Sequence, residues 1–190
     1  MNPIRDIKGE HASIKIILNA MKRLAVDMRL GKFIDSYRIV QIFDFLHTFT
    51  EHCHYEKEEK SLYPALLEYD IPWTVDTLNH LKNEHRLAQN YIKEIDTLFG
   101  EYLSGNTLVI NTMALSMIRY VELEMKHINT VDHVVLPLCE KLFDTKKSKS
   151  IACEFIKIQD RSVGHLKHLE YYKLLSMLNA ENDILSERAY

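Results

Sequence analysis

"FTEHCHYEKEEKSLYPAL", Phe49–Leu66, decides how the chain is to be read, because it sets His52, His54, Glu56, Glu58 and Glu59 immediately ahead of an apolar run. On a helix, at about 100° per residue, His54 and Glu58 differ by about 40° and share one face, a turn apart. What one of them binds, the other can bind. His47 and Glu51 fall close to the same line, whereas His52, Glu56 and Glu59 fan out to other sides. Apolar Ile39, Phe43, Leu62 and Ala65 lie within reach of that face and turn the His54–Glu58 pair toward a core. A buried carboxylate beside a buried histidine must be paired, protonated or metal-bound, because an uncompensated buried charge costs on the order of several kcal/mol. An intrahelical hydrogen bond between the two is the plainer alternative.

Outward from this stretch, only five glycines and four prolines interrupt 190 residues, and they leave long uninterrupted segments between them. Apolar residues recur at three and four: Ile14, Ile17, Leu18, Met21 and Leu24; Ile39, Ile42, Phe43, Leu46 and Phe49; Leu78, Leu81, Leu87, Tyr91, Ile95 and Leu98; Met113, Met117, Tyr120, Val121 and Leu123. The spacing predicts four amphipathic helices, at about Ile4–Leu30, Asp35–Tyr69, Thr74–Leu103 and Thr107–Phe143. Short loops between them would make successive helices antiparallel neighbours. The expected fold is all-α, an up-down antiparallel four-helix bundle over residues 1–143, with a C-terminal helical extension over residues 144–190 packed on the bundle or on a second copy. Within that extension "DTKKSKS", Asp144–Ser150, reads as a polar connector; the segment after it reads as one or two helices broken at Gly164, with a tail from Glu181 to Tyr190 that frays.

The fourth segment partly repeats the second. "HYEKEEKSLYP", His54–Pro64, aligns without gaps with "HINTVDHVVLP", His127–Pro137: histidine first, an acid sixth (Glu59, Asp132), an apolar pair ninth and tenth, proline eleventh. The remaining two helices contribute His11, in "GEHASIKII", and His85, in "KNEHRLAQ". Each helix thus offers at least one histidine, the arrangement by which bundles present ligands to a central metal pair. Satisfied core histidines are the alternative.

Composition sets the surroundings. A net charge of −3, from 24 basic and 27 acidic residues, offers no basic footprint for nucleic acid. No apolar run approaches the roughly 18 residues that span a bilayer. Cys53, Cys139 and Cys153 are odd in number and lack metal-site spacing, which suits a reducing cytoplasm, and Cys53 and Cys139 read as small buried hydrophobes. Histidine and carboxylate donors without thiolates suit iron, manganese or zinc. No nucleophile with its base, no phosphate-binding glycine loop and no nucleotide fingerprint is present.

The ordered set His11, His54 with Glu58, His85, and His127 with Asp132 resembles the pattern of the hemerythrin-like (HHE) proteins, over about Met1–Phe143. The "KHLEY" stretch, Lys167–Tyr171, is similar to the C-terminal helix of longer bacterial-type members. The resemblance implies two iron ions, oxo- or carboxylate-bridged, in a four-helix bundle, with Glu58 and Asp132 bridging and His11, His54, His85 and His127 as terminal ligands. It further implies an open position for O2, NO or peroxide in sensing, storage or detoxification. An enzyme acting on peroxide or NO or donating iron for cluster repair is the alternative within the family, and a degenerate bundle with a structural or homo-oligomeric role is another.

Departures from the family pattern are informative. Tyr55 stands where longer relatives carry a second histidine, so either its phenolate ligates ferric iron or the site is one ligand poorer. Val131 stands where the pattern has a glutamate four residues after His127, which leaves Asp132, about 140° around an ideal helix, needing a favourable rotamer or a local distortion to bridge. Leu81 stands four before His85 where the oxygen carriers place another histidine, and His168 of the extension is the candidate to reach in.

Overall fold

The structure, a computed structural model, describes residues 2–187 and is entirely helical over the elements it forms. Six rods follow one another: α1 (Pro3–Arg29), α2 (residues 36–67), α3 (Pro72–Leu103), α4 (residues 110–142), α5 (Thr145–Ser162) and α6 (Gly164–Glu187). A single 3-10 turn, Thr107–Val109, leads into α4. The four helices expected from the spacing are present to within three residues at either end.

Their starts have local causes. Asn2 accepts from the Ile4 and Arg5 amides ahead of Pro3, and Asp35 accepts from the Tyr37 amide, each satisfying donors that an α-helix leaves orphaned at its start. Asp144 does the same for Lys147, at 2.7 Å. This corrects the reading of Asp144–Ser150 as a connector: the cap turns the lysine-rich stretch into the first turns of α5, with its charges toward solvent and Ile151, Ala152, Phe155 and Ile158 buried. Gly164, at φ +69°, separates α5 from α6 in a conformation that side chains with a Cβ rarely adopt. The tail expected to fray is helical to Glu187; its last three residues lie outside the described ones.

Apolar side chains collect in two clusters separated by a polar layer. One holds Ile14 to Met28, Ile39 to Phe49, Ala88 to Phe99 and Met113 to Ile128; the other holds Ile4, Ile7, Leu62 to Leu66, Leu78, Leu81, Val131 to Cys139, Ile151 and Phe155. Along α1 and α3 the chain passes from the second cluster to the first; along α2 and α4 it passes from the first to the second. Ties between helices follow the same sense: Lys8–Glu140 and Lys15–Asp132 join α1 to α4, and His47–Asp96 and Glu59–His85 join α2 to α3, each with numbers rising on one helix as they fall on the other.

Helices α5 and α6 lie against α1 and α2. Arg161 pairs with Glu56, Ser162 Oγ donates to the His52 carbonyl at 2.7 Å, Lys167 pairs with Asp44 at 2.8 Å, and Arg38 pairs with Glu181 at 3.0 Å. Among the described residues no helix is long and apolar enough to cross a membrane.

Candidate metal centre

Each of the first four helices turns one histidine into the polar layer between the clusters. His11, His54, His85 and His127 are each at most 1% exposed, and Glu58 at their centre is 0% exposed. The Glu58 carboxylate spans the layer. Its Oε1 lies 3.5 Å from His11 Nε2 and 3.7 Å from His54 Nε2, and its Oε2 lies 3.2 Å from both His85 Nε2 and His127 Nε2. Two three-donor groups result, His11–His54–Glu58 and Glu58–His85–His127, each compact enough to hold a metal ion and sharing one carboxylate.

Behind the histidines stands a ring of carboxylates. Glu10 of α1 meets His54 Nδ1 at 2.8 Å, Glu59 of α2 meets His85 Nδ1 at 2.7 Å, Glu84 of α3 meets His127 Nδ1 at 3.2 Å, and Asp132 of α4 meets His11 Nδ1 at 2.6 Å. Every helix therefore holds the histidine of the next, and the fourth closes on the first. An imidazole whose Nδ1–H donates to a carboxylate presents Nε2 as a lone pair, in a fixed orientation and with raised basicity. All four lone pairs face Glu58.

His11 Nε2, His54 Nε2 and Glu58 Oε1 are buried without a hydrogen-bond partner. His85 Nε2 and His127 Nε2 stand 3.1 Å apart, a repulsive approach for two lone pairs unless a cation or a proton lies between them. Burial opposes charge on His127, but hydrogen bonds to Glu58 and Glu84 outweigh it and push its pKa up to about 10. Burial likewise opposes charge on Glu58, yet His54, His11, His127 and His85 hold its carboxyl well below the ordinary range. An anionic carboxylate ringed by imidazole nitrogens is a cation site in charge as well as geometry.

Helix distortions sit at this level. Tyr63 N–H donates to Glu58 O and Leu136 N–H to Val131 O, five residues back rather than four, so both helices widen into π-turns, Glu58–Leu62 and Val131–Val135. Prolines 64 and 137 follow directly; a proline has no N–H to give, and its ring crowds the carbonyl of the preceding turn. The repeat noted in the sequence thus carries a repeated distortion, beginning at the aligned pair Glu58 and Val131. A further π-turn, Leu46–His54, ends on His54 itself. Such turns concentrate at functional sites.

Of the residues singled out in the sequence, His11, His54, Glu58, His85 and His127 come together. Asp132 does not enter either group: its Oδ1 meets His11 and its Oδ2 meets Lys15 at 2.9 Å, as its counterpart Glu59 in the repeat meets His85. Burial opposes its charge, but those two partners hold its pKa at about 2. Tyr55 also stays out. Its ring stacks on His85, with centroids 3.8 Å apart, while its hydroxyl donates to buried Glu124 at 2.7 Å. His168 lies edge-on to Phe49 beside a cavity of about 350 Å³ that Glu10 and Lys57 also line, and it is in neither group. His47 ties Glu51 to Asp96, and His80 pairs with Glu84.

Sequence reasoning did not identify Glu10, Glu84, Tyr63 and Lys57. The first two had a signal: an acid directly before the histidine, in "GEH" and "NEH", sits about 100° around the helix and so reaches the neighbouring helix rather than its own histidine. Tyr63 donates to Glu58 Oε2 at 2.5 Å. Lys57, 2% exposed, holds Glu10.

Residues 2–139 match the model of a family described as the hemerythrin HHE cation binding domain. No curated protein and no solved structure matches the chain.

Proposed function

Because the chain belongs to the hemerythrin HHE cation-binding family, we propose that its metal is a pair of non-haem irons and that the pair binds a small diatomic ligand, O2 or NO, for sensing, storage or detoxification. The observation that carries this reading is Glu58, with one oxygen facing each histidine pair. Each position then has two histidines and one carboxylate, the donor set that suits non-haem iron(II). Manganese or zinc would accept the same nitrogens and oxygens less selectively. The closed ring of carboxylate–histidine contacts, and the alternating passage of α1 to α4 between the two apolar clusters, support an up-down four-helix bundle over residues 1–143, with residues 144–190 as an extension upon it.

The roles of the residues follow from the geometry. His11 and His54 would hold one ion and His85 and His127 the other, with Glu58 joining them. Glu10, Glu59, Glu84 and Asp132 keep the ring nitrogens aimed. Tyr63 anchors one oxygen of Glu58, and the apolar clusters above and below exclude water. Three protein donors at each position leave coordination room for an incoming ligand. When bound, the iron pair supplies the electrons and the coordination site for that ligand. The three cysteines are free, and this supports a reducing cytoplasm as the place of action. Peroxide remains a second small-molecule partner of the same open position.

The test is anaerobic reconstitution with ferrous iron, followed by iron content per chain and the optical spectrum on admitting NO or air. We expect about two irons per chain, a spectral change with the diatomic ligand, and loss of both in His54→Ala. A chain that takes up no iron would overturn the proposal, and uptake of a single ion would overturn the paired site.

A further inference from the structure

The four histidines are not held alike. Glu84 is tied by Lys126 and His80 and Asp132 by Lys15, while Glu59 meets His85 directly; none of these contacts involves α5 or α6. His54 differs. Its partner Glu10 is held by the Lys57 ammonium, and that ammonium is 2% exposed. An ammonium so buried must have its donors satisfied. One goes to Glu10. A second turns to α5, where Gln159 Oε1 accepts at 3.0 Å and the Phe155 ring lies 5.6 Å from Nζ at its centroid; the Cys53 side chain on α2 is a further hydrogen-bond partner. Phe155 and Gln159 both lie beyond the family match, which ends at residue 139.

We propose that α5 is a positioning element for the His54 half of the metal centre, acting through Gln159, Lys57 and Glu10, so that the two metal positions are unequal and the seating of α5 is coupled to occupancy of one of them. This rests on the metal-binding reading above. With α5 in place, Lys57 is fixed, Glu10 is fixed by Lys57, and the His54 ring is fixed by Glu10. With α5 displaced, Lys57 loses an acceptor and an aromatic face, and Glu10 follows it. Loss of an outer partner of a metal-bound histidine typically costs 10–100-fold in metal affinity. Coupling between sites is reciprocal, so metal at this position must hold α5 down by the same factor. The extension would then report the state of the centre to whatever meets its outer face.

The test uses the full chain and Co(II), whose visible bands report coordination. Wild type, Gln159→Leu, Gln159→Glu and, as the control for the other half, Lys126→Ala are titrated anaerobically, and amide hydrogen exchange over residues 145–162 is followed in the wild type with and without metal. We expect Gln159→Leu to weaken one binding step at least about tenfold while leaving the other unchanged. Gln159→Glu, which keeps an oxygen on Lys57, should restore that step. Lys126→Ala should affect the opposite step, and metal should slow exchange in α5 of the unmodified chain. Equal binding at both positions in wild type and Gln159→Leu, or exchange in α5 indifferent to metal, would overturn the inference while leaving the centre intact. A wild-type chain that binds no Co(II) and no iron would overturn both.

Discussion

Glu58 and Val131 occupy the same place in the internal repeat, and the difference between them defines the centre. Glu58 faces all four histidine Nε2 atoms, so Glu58→Gln removes a charge shared by both donor groups. The variant is expected to fold and to lose bound metal, as measured by metal content after dialysis. Val131 is buried in the apolar cluster below the centre. Val131→Glu would restore the second carboxylate of the family pattern. Without metal it adds a buried charge, at a cost of about 3–5 kcal/mol where uncompensated; with metal that charge gains a partner. The expected result is lower stability in chelator and tighter metal binding, read from urea unfolding with and without metal. Unchanged values in both conditions would mean that position 131 does not address the centre. The sequence showed this asymmetry, whereas Asp132's engagement with His11 was not legible in it, because residues five apart on a helix give no account of what a neighbouring helix presents.

At the level of elements, the tie between α2 and α3 and the break between α5 and α6 each have a measurable consequence. His47 joins Asp96 and Glu51, whose hydrogen bonds, working against partial burial, raise its pKa from 6.5 to about 10. A histidine raised on folding contributes stability that is complete below its unfolded value and is lost as pH rises through its folded value. The stability difference between wild type and His47→Gln should therefore be largest below about pH 6.5 and vanish by about pH 10. The side chain is 38% exposed, so solvent screening keeps the effect small. A difference that grows with pH would contradict the assignment. Gly164, at φ +69°, has open space where a Cβ would stand, so Gly164→Ala is strained by backbone conformation alone. A loss of about 1–2 kcal/mol is expected in denaturant unfolding, with metal content unaffected.

For the whole molecule, the polar layer between two apolar clusters is a cost in the metal-free protein and a gain in the loaded one. Any ion that binds the folded chain alone stabilises it by mass action, about 2.7 kcal/mol at a free concentration one hundred times Kd. For a protein of this size that corresponds to a Tm increase of roughly 5–10 °C, to be read by calorimetry and reversed by a chelator. An unchanged Tm at saturating iron would argue against a site built into the folded core.

By itself the sequence determined the all-helical fold, the approximate limits of the four long helices and the five residues that meet at the centre. Those properties follow from local periodicity and from histidines and an acid placed on apolar faces, where burial leaves them few alternatives. Only the tertiary structure decided which carboxylate holds which histidine, that Tyr55 turns to Glu124, that His168 stays out, and that α5 reaches the centre through Lys57. Each of these depends on a partner from another helix, and a linear pattern specifies the face a residue occupies without specifying what is brought against that face.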